Sequence, residues 1–183
     1  KEEENTDKPI SFYAATKKTN EVLAYSYSNK YNLPCTGLRF FTVYGPYGRP
    51  DMSLFLFTKA IFESKVVKLF NKGDHVRDFT YIDDVVNSIT KIVSKPFTGK
   101  IPFSVYNIAT SSPKKLKVFL KSIENIIGKK AKIKYLNMQQ GDIYKTHGDN
   151  KKIAKKIKFK PKMKLVDGIQ KFVLWYKEYY GKS

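Results

Sequence analysis

The sequence predicts an α/β fold, because segments with helical periodicity alternate with short apolar segments that are typical of strands. Residues 11–31 repeat apolar side chains at the spacing of an amphipathic helix, which Leu33-Pro34 ends. Residues 35–43 then form a predicted buried strand, followed by the loop 44–50, which contains two glycines and two prolines.

The rest of the chain continues this alternation. Further helices are predicted at about 53–64, 83–93, 112–127 and 165–180, and strands at 66–70, 78–81, 105–108 and 131–136. Asp83 is the predicted N-cap of its helix, and Ser112-Pro113 is the predicted start of the next, with Gly128 as its stop. The last helix has a predicted apolar face of Ile169, Phe172, Val173 and Tyr176.

Composition narrows the class of protein. A chain of 183 residues that is 42% hydrophobic is long and apolar enough to bury a core. We find no run of the roughly 18 to 20 apolar residues that a membrane span needs. The single Cys35 excludes an internal disulfide and a cysteine zinc site. A cytoplasmic location is therefore expected.

The net charge of +19 would suit a nucleic-acid-binding module. The lysines are spread through every segment, however, and even the densest stretch, 151–158, has Ile153, Ala154 and Ile157 at helical spacing. We favour solvated helix faces over a nucleic-acid interface, and we expect no nucleic-acid partner. His75 and His147 lack metal-ligand spacing and are expected on the surface, and no metal site is predicted.

Tyr13 and Lys17 are four residues apart on the first predicted helix, so their side chains share one face. A cation close to a phenol favours the phenolate, and such a pair can act as a general base for a sugar hydroxyl. The spacing occurs often by chance, so two solvated helix residues remain the alternative.

Three motifs follow one another in the chain: residues 11–21 are SFYAATKKTNE, residues 38–46 are LRFFTVYGP, and residues 77–84 are RDFTYIDD. Together they resemble the NAD-dependent nucleotide-sugar epimerases and dehydratases of the extended short-chain dehydrogenase/reductase family. The loop 42–52 is most similar to that of the UDP-glucuronate 4-epimerases. The resemblance covers nearly the whole chain, from about residue 9 to the last helix.

This resemblance implies a Rossmann-type fold with a small α/β substrate-binding domain. Residues 1–50 would be the C-terminal piece of the NAD-binding domain. Residues 51–183 would mainly bind the nucleotide sugar, with about 78–94 returning to the first domain. The implied reaction converts UDP-glucuronate to UDP-galacturonate through transient oxidation by NAD, with a UDP-sugar as substrate.

The resemblance also implies roles for individual residues. Tyr13 would be the base, and Lys17 would hold the nicotinamide ribose. Tyr44, Gly45 and Pro46 would lie beside the cofactor, although Gly45-Pro46 is alternatively a strand-ending turn.

The predicted substrate contacts lie further along the chain. Thr42 and Arg49 would face the sugar, where the guanidinium suits a carboxylate, although an exposed and idle Arg49 is equally compatible with the sequence. Lys68, Leu69 and Phe70 would flank the uracil.

Two further residues would bind the rest of the nucleotide. Arg77 would bind the diphosphate, or alternatively would form a surface salt bridge with Asp74 or Asp78. Asp142 would bond the ribose. Gln139 departs from the UDP-galactose epimerase pattern, which has arginine there, and this fits the glucuronate branch.

Two family elements have no counterpart in the sequence: the glycine-rich loop that holds the NAD pyrophosphate, and the upstream Ser/Thr of the catalytic triad. Both would lie before Lys1, so we expect a fragment that alone neither binds NAD nor epimerises. In the family the Tyr13 helix packs between subunits, which implies a homodimer for the full-length protein.

Three other hypotheses remain at this point. Within the fold, the protein would be a UDP-sugar dehydratase or decarboxylase. From other classes, it would be a basic nucleic-acid-binding module or a non-catalytic interaction module.

Overall fold

The structure is a computed structural model that describes residues 1–139 and 141–182. Gln140, beside the predicted Asp142 site, lies outside the described residues. The helices described are α1 (Phe12–Tyr31), α2 (Ser53–Phe62), α3 (Ile82–Val93), α4 (Leu116–Ile127), α5 (Lys151–Ile157) and α6 (Leu165–Tyr180). The strands described are β1 (Cys35–Phe40), β2 (Thr42–Tyr44), β3 (Val66–Phe70), β4 (Val76–Arg77), β5 (Phe79–Tyr81), β6 (Phe103–Ile108), β7 (Lys114–Lys115) and β8 (Lys132–Leu136).

The strands pair mainly in parallel, which confirms the predicted α/β class. Strand β1 pairs with β6 from Cys35 opposite Phe103 to Phe40 opposite Ile108. Strands β2 and β5 form a second parallel pair, and β3 and β8 a third. Strands β4 and β7 are antiparallel. Parallel neighbours joined through helices are typical of Rossmann-type folds.

The predicted single strand 35–43 is wrong, because the chain changes partner at Phe41. The Phe41 N–H still donates to Ile108 O, at the end of β6. One residue later, the Thr42 N–H donates to Asp78 O, and the chain continues as β2 beside β5. The break places Thr42 and Tyr44 on a different strand pair from Arg39.

Two predicted helix starts are also wrong. Tyr81 occupies the N-cap position of α3, and Asp83 lies inside the first turn. A carboxylate there still interacts favourably with the helix dipole. Helix α4 begins at Leu116, because Lys114 and Lys115 form β7 against β4. Its predicted end is confirmed, since Gly128 is the left-handed C-cap with φ of 75°.

The larger core is aromatic and lies among α2, α4 and α6. The predicted apolar face of α6 is confirmed, because its four residues are at most 2% exposed. Phe119 of α4 stacks on Phe79 with the ring centroids 4.2 Å apart. Close-packed rings of this kind contribute strongly to stability through buried area and edge or stacking contacts.

A smaller core joins α3, β6 and α5. Ile153 and Ile157 of α5 are buried in it, which confirms that the lysine-rich stretch 151–158 is an amphipathic helix. Helix α1 contributes little to either core. Its apolar residues Val22, Leu23 and Tyr27 are more than half exposed, and its one buried residue is Ser28. In the part of the chain that the structure describes, no helix is both long and apolar enough to cross a membrane.

Candidate active site

The first turn of α1 carries Tyr13, and a side-chain cap fixes where the helix begins. Ser11 has an extended backbone, and its Oγ accepts a hydrogen bond from the Ala14 N–H at 3.1 Å. Lys17 follows one turn later, with its Nζ 5.3 Å from the centroid of the Tyr13 ring. The structure therefore brings Tyr13 and Lys17 together on one face. The Tyr13 side chain is 71% exposed, so its hydroxyl is open to a ligand.

An ion pair that the sequence analysis missed fixes α1 on β1. Arg39 donates to both carboxylate oxygens of Glu21, at 2.7 and 2.8 Å. The hydrogen bonds from Arg39 hold the pKa of the Glu21 carboxyl below its ordinary value. Glu21 ends the first quoted motif and Arg39 lies in the second, so their shared presence was the available signal. Because Glu21 is one turn beyond Lys17, this pair sets the position of the Tyr13–Lys17 face.

Two neighbouring clefts, of about 490 and 500 Å³, border this face of α1. Tyr13, Lys17, Glu21 and Arg39 line both clefts. The first cleft is also lined by the 141–143 segment, through its first and last residues. The predicted ribose contact Asp142 therefore belongs to a segment that borders the Tyr13 cleft.

At the end of β2, the residues predicted to lie beside the cofactor offer it mainly backbone atoms. Tyr44 is 6% exposed, with its ring edge-on to Phe79 and Phe119 in the larger core. Burial raises the pKa of the Tyr44 phenol. The part of Tyr44 that a cofactor could reach is thus its backbone, not its ring. Gly45 has φ of +146°, and a Cβ there would lie 2.5 Å from Ile82 Cγ2, so this position requires glycine.

Thr42, Gly45 and Arg49 line one small cavity. Pro46, the next residue after Gly45, is half-buried. Arg49 is exposed and pairs with Asp51 through Nε, 3.0 Å from Oδ1. The hydrogen bond to Asp51 raises the pKa of the Arg49 guanidinium, and the nearby Tyr13 phenol adds a smaller contribution. Arg49 is therefore exposed and paired with Asp51, and its contact with the sugar stays a prediction.

The structure brings Arg77 and Asp142 together, although they are 65 residues apart. Arg77 Nη2 lies 3.0 Å from Asp142 Oδ1, and Nη1 donates to Tyr144 O at 3.2 Å. The alternative pairing of Arg77 with Asp74 or Asp78 is wrong. Asp74 is held by two lysines of the β7–α4 segment, and Asp78 accepts from Thr110 and the Gly148 N–H.

The predicted surface position of His75 is wrong, because its side chain is 3% exposed. The β4 segment places it under the loop that carries Tyr144, with ring centroids 6.4 Å apart, and its carbonyl accepts from the Leu116 N–H. His75 Nε2 is 3.1 Å from Asp142 Oδ2. An isolated histidine has no local pattern that would reveal such burial. His147 is exposed, as predicted.

The predicted uracil contacts lie on β3. The side chain of Lys68 is exposed, Leu69 is 1% exposed and belongs to the larger core, and Phe70 is half-buried. The chain continues from Phe70 through a 3₁₀ turn to His75 and β4. The candidate residues thus form three groups: the Tyr13 face of α1, the loop 42–49, and the β3–β4 side with Asp142.

The chain is similar to known proteins over nearly its whole length. Protein CapI from Staphylococcus aureus is 47% identical to the chain over 193 residues, covering 98% of this chain and 58% of CapI. A probable UDP-glucuronate 4-epimerase from Rhizobium meliloti is 37% identical, covering 100% of this chain and 58% of that relative. The chain therefore spans a little over half the length of these curated relatives.

The solved structures show the same similarity. The UDP-glucuronic acid 4-epimerase of Bacillus cereus, a mutant in complex with UDP-4-deoxy-4-fluoro-glucuronic acid and NAD, superposes with a TM-score of 0.90 at 30% identity. The match covers 97% of this chain and 56% of that one. The model of the NAD dependent epimerase/dehydratase family matches residues 1–109. Because that match covers more than half of the 183 residues of this chain, the chain belongs to the NAD dependent epimerase/dehydratase family.

Proposed function

We propose that the whole protein is a UDP-glucuronate 4-epimerase that uses NAD, and that this chain supplies its general base and most of its nucleotide-sugar contacts. The observation that carries the proposal is the exposed Tyr13 hydroxyl beside the Lys17 ammonium, on a cleft that the Asp142 segment also borders. The relatives described above, which include named UDP-glucuronate 4-epimerases, support the choice of substrate.

Tyr13 would remove the proton from the sugar 4-hydroxyl and later return one. Lys17 lies close enough to favour the phenolate and to donate hydrogen bonds to ribose hydroxyls. The backbone at Gly45-Pro46 would line the cofactor, since residue 45 leaves no space for a side chain. NAD, when bound, supplies the site that accepts the hydride and gives it back, so no net redox change results.

The other two groups would hold the substrate. Arg77 provides a planar pair of donors for the diphosphate, and Asp142 an acceptor for the uridine ribose. In the structure these two charges satisfy each other, so binding would exchange their salt bridge for contacts with the nucleotide. Arg49 would turn from Asp51 to the sugar carboxylate near Thr42. The Lys68–Phe70 strand would flank the uracil.

The test is to incubate the whole protein, with whatever residues precede Lys1, with NAD and UDP-[4-²H]glucuronate and to follow the product by NMR. We expect UDP-galacturonate that keeps deuterium at C4, because the same hydride returns to the sugar. Release of carbon dioxide would indicate a decarboxylase instead. Absence of any conversion, in a protein shown to bind both NAD and UDP, would refute the proposal.

We also propose a homodimer, a cytoplasmic location and the division into two domains described above. The exposed apolar residues Val22, Leu23 and Tyr27 support an α1 interface between subunits. The pairing of β6 with β1 and the packing of α5 on β6 support adding 103–108 and 151–159 to the first domain. Light scattering on the whole protein tests the dimer, and Leu23→Glu should shift it toward monomer.

A further inference from the structure

We propose that His75 is a positioning residue that holds Asp142 in place for the uridine ribose, an inference that rests on the proposed function. The His75 ring is 3% exposed, and its Nε2 lies 3.1 Å from Asp142 Oδ2. The other oxygen of that carboxylate, Oδ1, accepts from Arg77 at 3.0 Å. Asp142 therefore sits between a buried imidazole and a guanidinium, with one oxygen directed to each.

The Nε2 atom of the His75 imidazole lacks a hydrogen-bond partner in this arrangement, among the residues that the structure describes. His75 Nε2 is buried and has no aligned hydrogen bond within the described residues, although the Asp142 carboxylate is within contact distance. Nε2 is a donor in the tautomer that carries its proton there. Leaving such a buried donor without a partner is unfavourable, so a small rotation of the carboxylate toward Nε2 would be stabilising. Asp142 is 31% exposed, so its side chain is not enclosed on every side.

Substrate binding supplies the reason for that rotation. If Arg77 turns to the diphosphate, Asp142 loses its ion-pair partner and His75 is the donor that remains beside it. A hydrogen bond from Nε2 to Oδ2 would then leave Oδ1 free to accept from the ribose. This is the arrangement by which a second residue fixes the orientation of a ligand-binding carboxylate.

The other charges near His75 do not compete for this role. Asp74, its chain neighbour, is already held by the Nζ atoms of Lys115 and Lys117 at 3.0 and 2.9 Å. Tyr144 faces the imidazole with its ring. Asp142 is therefore the carboxylate that His75 meets among the described groups around it.

The experiment compares the affinity of the whole protein for UDP and for 2′,3′-dideoxyuridine 5′-diphosphate by calorimetry. We expect the wild type to prefer UDP by about tenfold or more, as the loss of hydrogen bonds to a charged acceptor predicts. His75→Leu should weaken UDP binding by about fivefold to tenfold and leave binding of the dideoxy analogue within about twofold. His75→Gln, whose amide can donate to Oδ2, should recover most of the preference. His147→Leu is the matched control at an exposed histidine and should change neither affinity.

Equal weakening of both ligands by His75→Leu would assign His75 a purely structural role and overturn the inference, as would an unchanged preference for UDP. If the leucine variant does not fold, His75→Asn makes the same test, because its shorter amide does not reach Asp142 and the preference should fall. A wild type that binds neither nucleotide would refute the proposed function itself, which separates the two failures.

Discussion

Helices α1 and α6 differ in how they are held, and the difference separates the chemistry from the scaffold. Helix α6 has 16 residues and buries Ile169, Phe172, Val173 and Tyr176 at 2% exposure or less. Helix α1 is longer, with 20 residues, but its one buried residue is Ser28. The proposed base therefore lies on a largely exposed helix, held by the Glu21–Arg39 pair and by the edge-on contact of Tyr25 with Phe103. The β3–β4 side that would bind the nucleotide rests on the aromatic core. Stability and catalysis should respond to different substitutions.

The largest expected effect tests the chemical side of this comparison. Tyr13→Phe removes the hydroxyl that would take the proton, and we expect epimerisation by the whole protein to fall by about 10² to 10⁴-fold. Because Tyr13 is 71% exposed, the free energy of unfolding should hardly change. Product formation measured by NMR checks the loss. Tyr31→Phe, at an exposed tyrosine at the end of the same helix, is the control, and an equal loss there would contradict the assignment.

The next substitution tests the scaffold side. Phe172→Ala leaves a cavity in the larger core and should lower the free energy of unfolding by about 3–5 kcal/mol. Urea denaturation followed by circular dichroism measures this. Leu174 lies on the opposite face of α6 and is 59% exposed, so Leu174→Ala should stay within about 0.5 kcal/mol of the wild type. Similar losses for both variants would mean that the α6 core is not packed as described.

A smaller effect is expected where α1 is fixed to β1. Glu21→Gln removes the charge from the pair with Arg39 and should destabilise the protein by about 1–3 kcal/mol. The pKa of Glu21 is lowered in the folded state, so the stabilisation is present above the ordinary value of 4.5. It is lost as the pH falls through the folded-state pKa. Stability measured between pH 7 and pH 3 should therefore fall less steeply for the variant.

The control for that substitution is Asp51→Asn, which breaks the exposed pair with Arg49. Its side chains are 75% and 60% exposed, so solvent screens the interaction and the free energy of unfolding should not change. A stability loss equal to that of Glu21→Gln would show that the two ion pairs are equivalent, against the present interpretation.

The smallest effect is expected at the beginning of α1. Ser11→Ala removes the cap on the Ala14 N–H and should lower the free energy of unfolding by about 1 kcal/mol. Ser26→Ala lies in the middle of the same helix and has no cap to lose, so it should be neutral or slightly stabilising. Thermal unfolding of the pair measures the difference, and the reverse order would place the helix start elsewhere.

Local patterns were enough to predict some elements. The bounds of α6, its buried face and the Gly128 stop were predicted correctly, because each depends on residues within a few turns. The Tyr13–Lys17 pairing was predictable for the same reason.

The features that the sequence did not reveal depend on distant partners. The break at Phe41 arises where the chain ends its pairing with β6 and continues as β2 beside β5, and the late start of α4 arises because β7 pairs with β4. His75 is buried by a loop nearly 70 residues further along, and no spacing indicates that contact. The apolar residues of α1 were visible in the sequence, but their exposure was not.

The separation of chemistry from recognition is tested most directly by the UDP affinity of two variants of the whole protein, measured by calorimetry. Arg77→Ala should weaken UDP binding by about tenfold or more, because it removes charged hydrogen bonds to the diphosphate. Tyr13→Phe should leave UDP affinity within about twofold of the wild type, since its hydroxyl would meet the sugar and not the nucleotide. An unchanged affinity in Arg77→Ala, or an equal loss in both variants, would contradict the account.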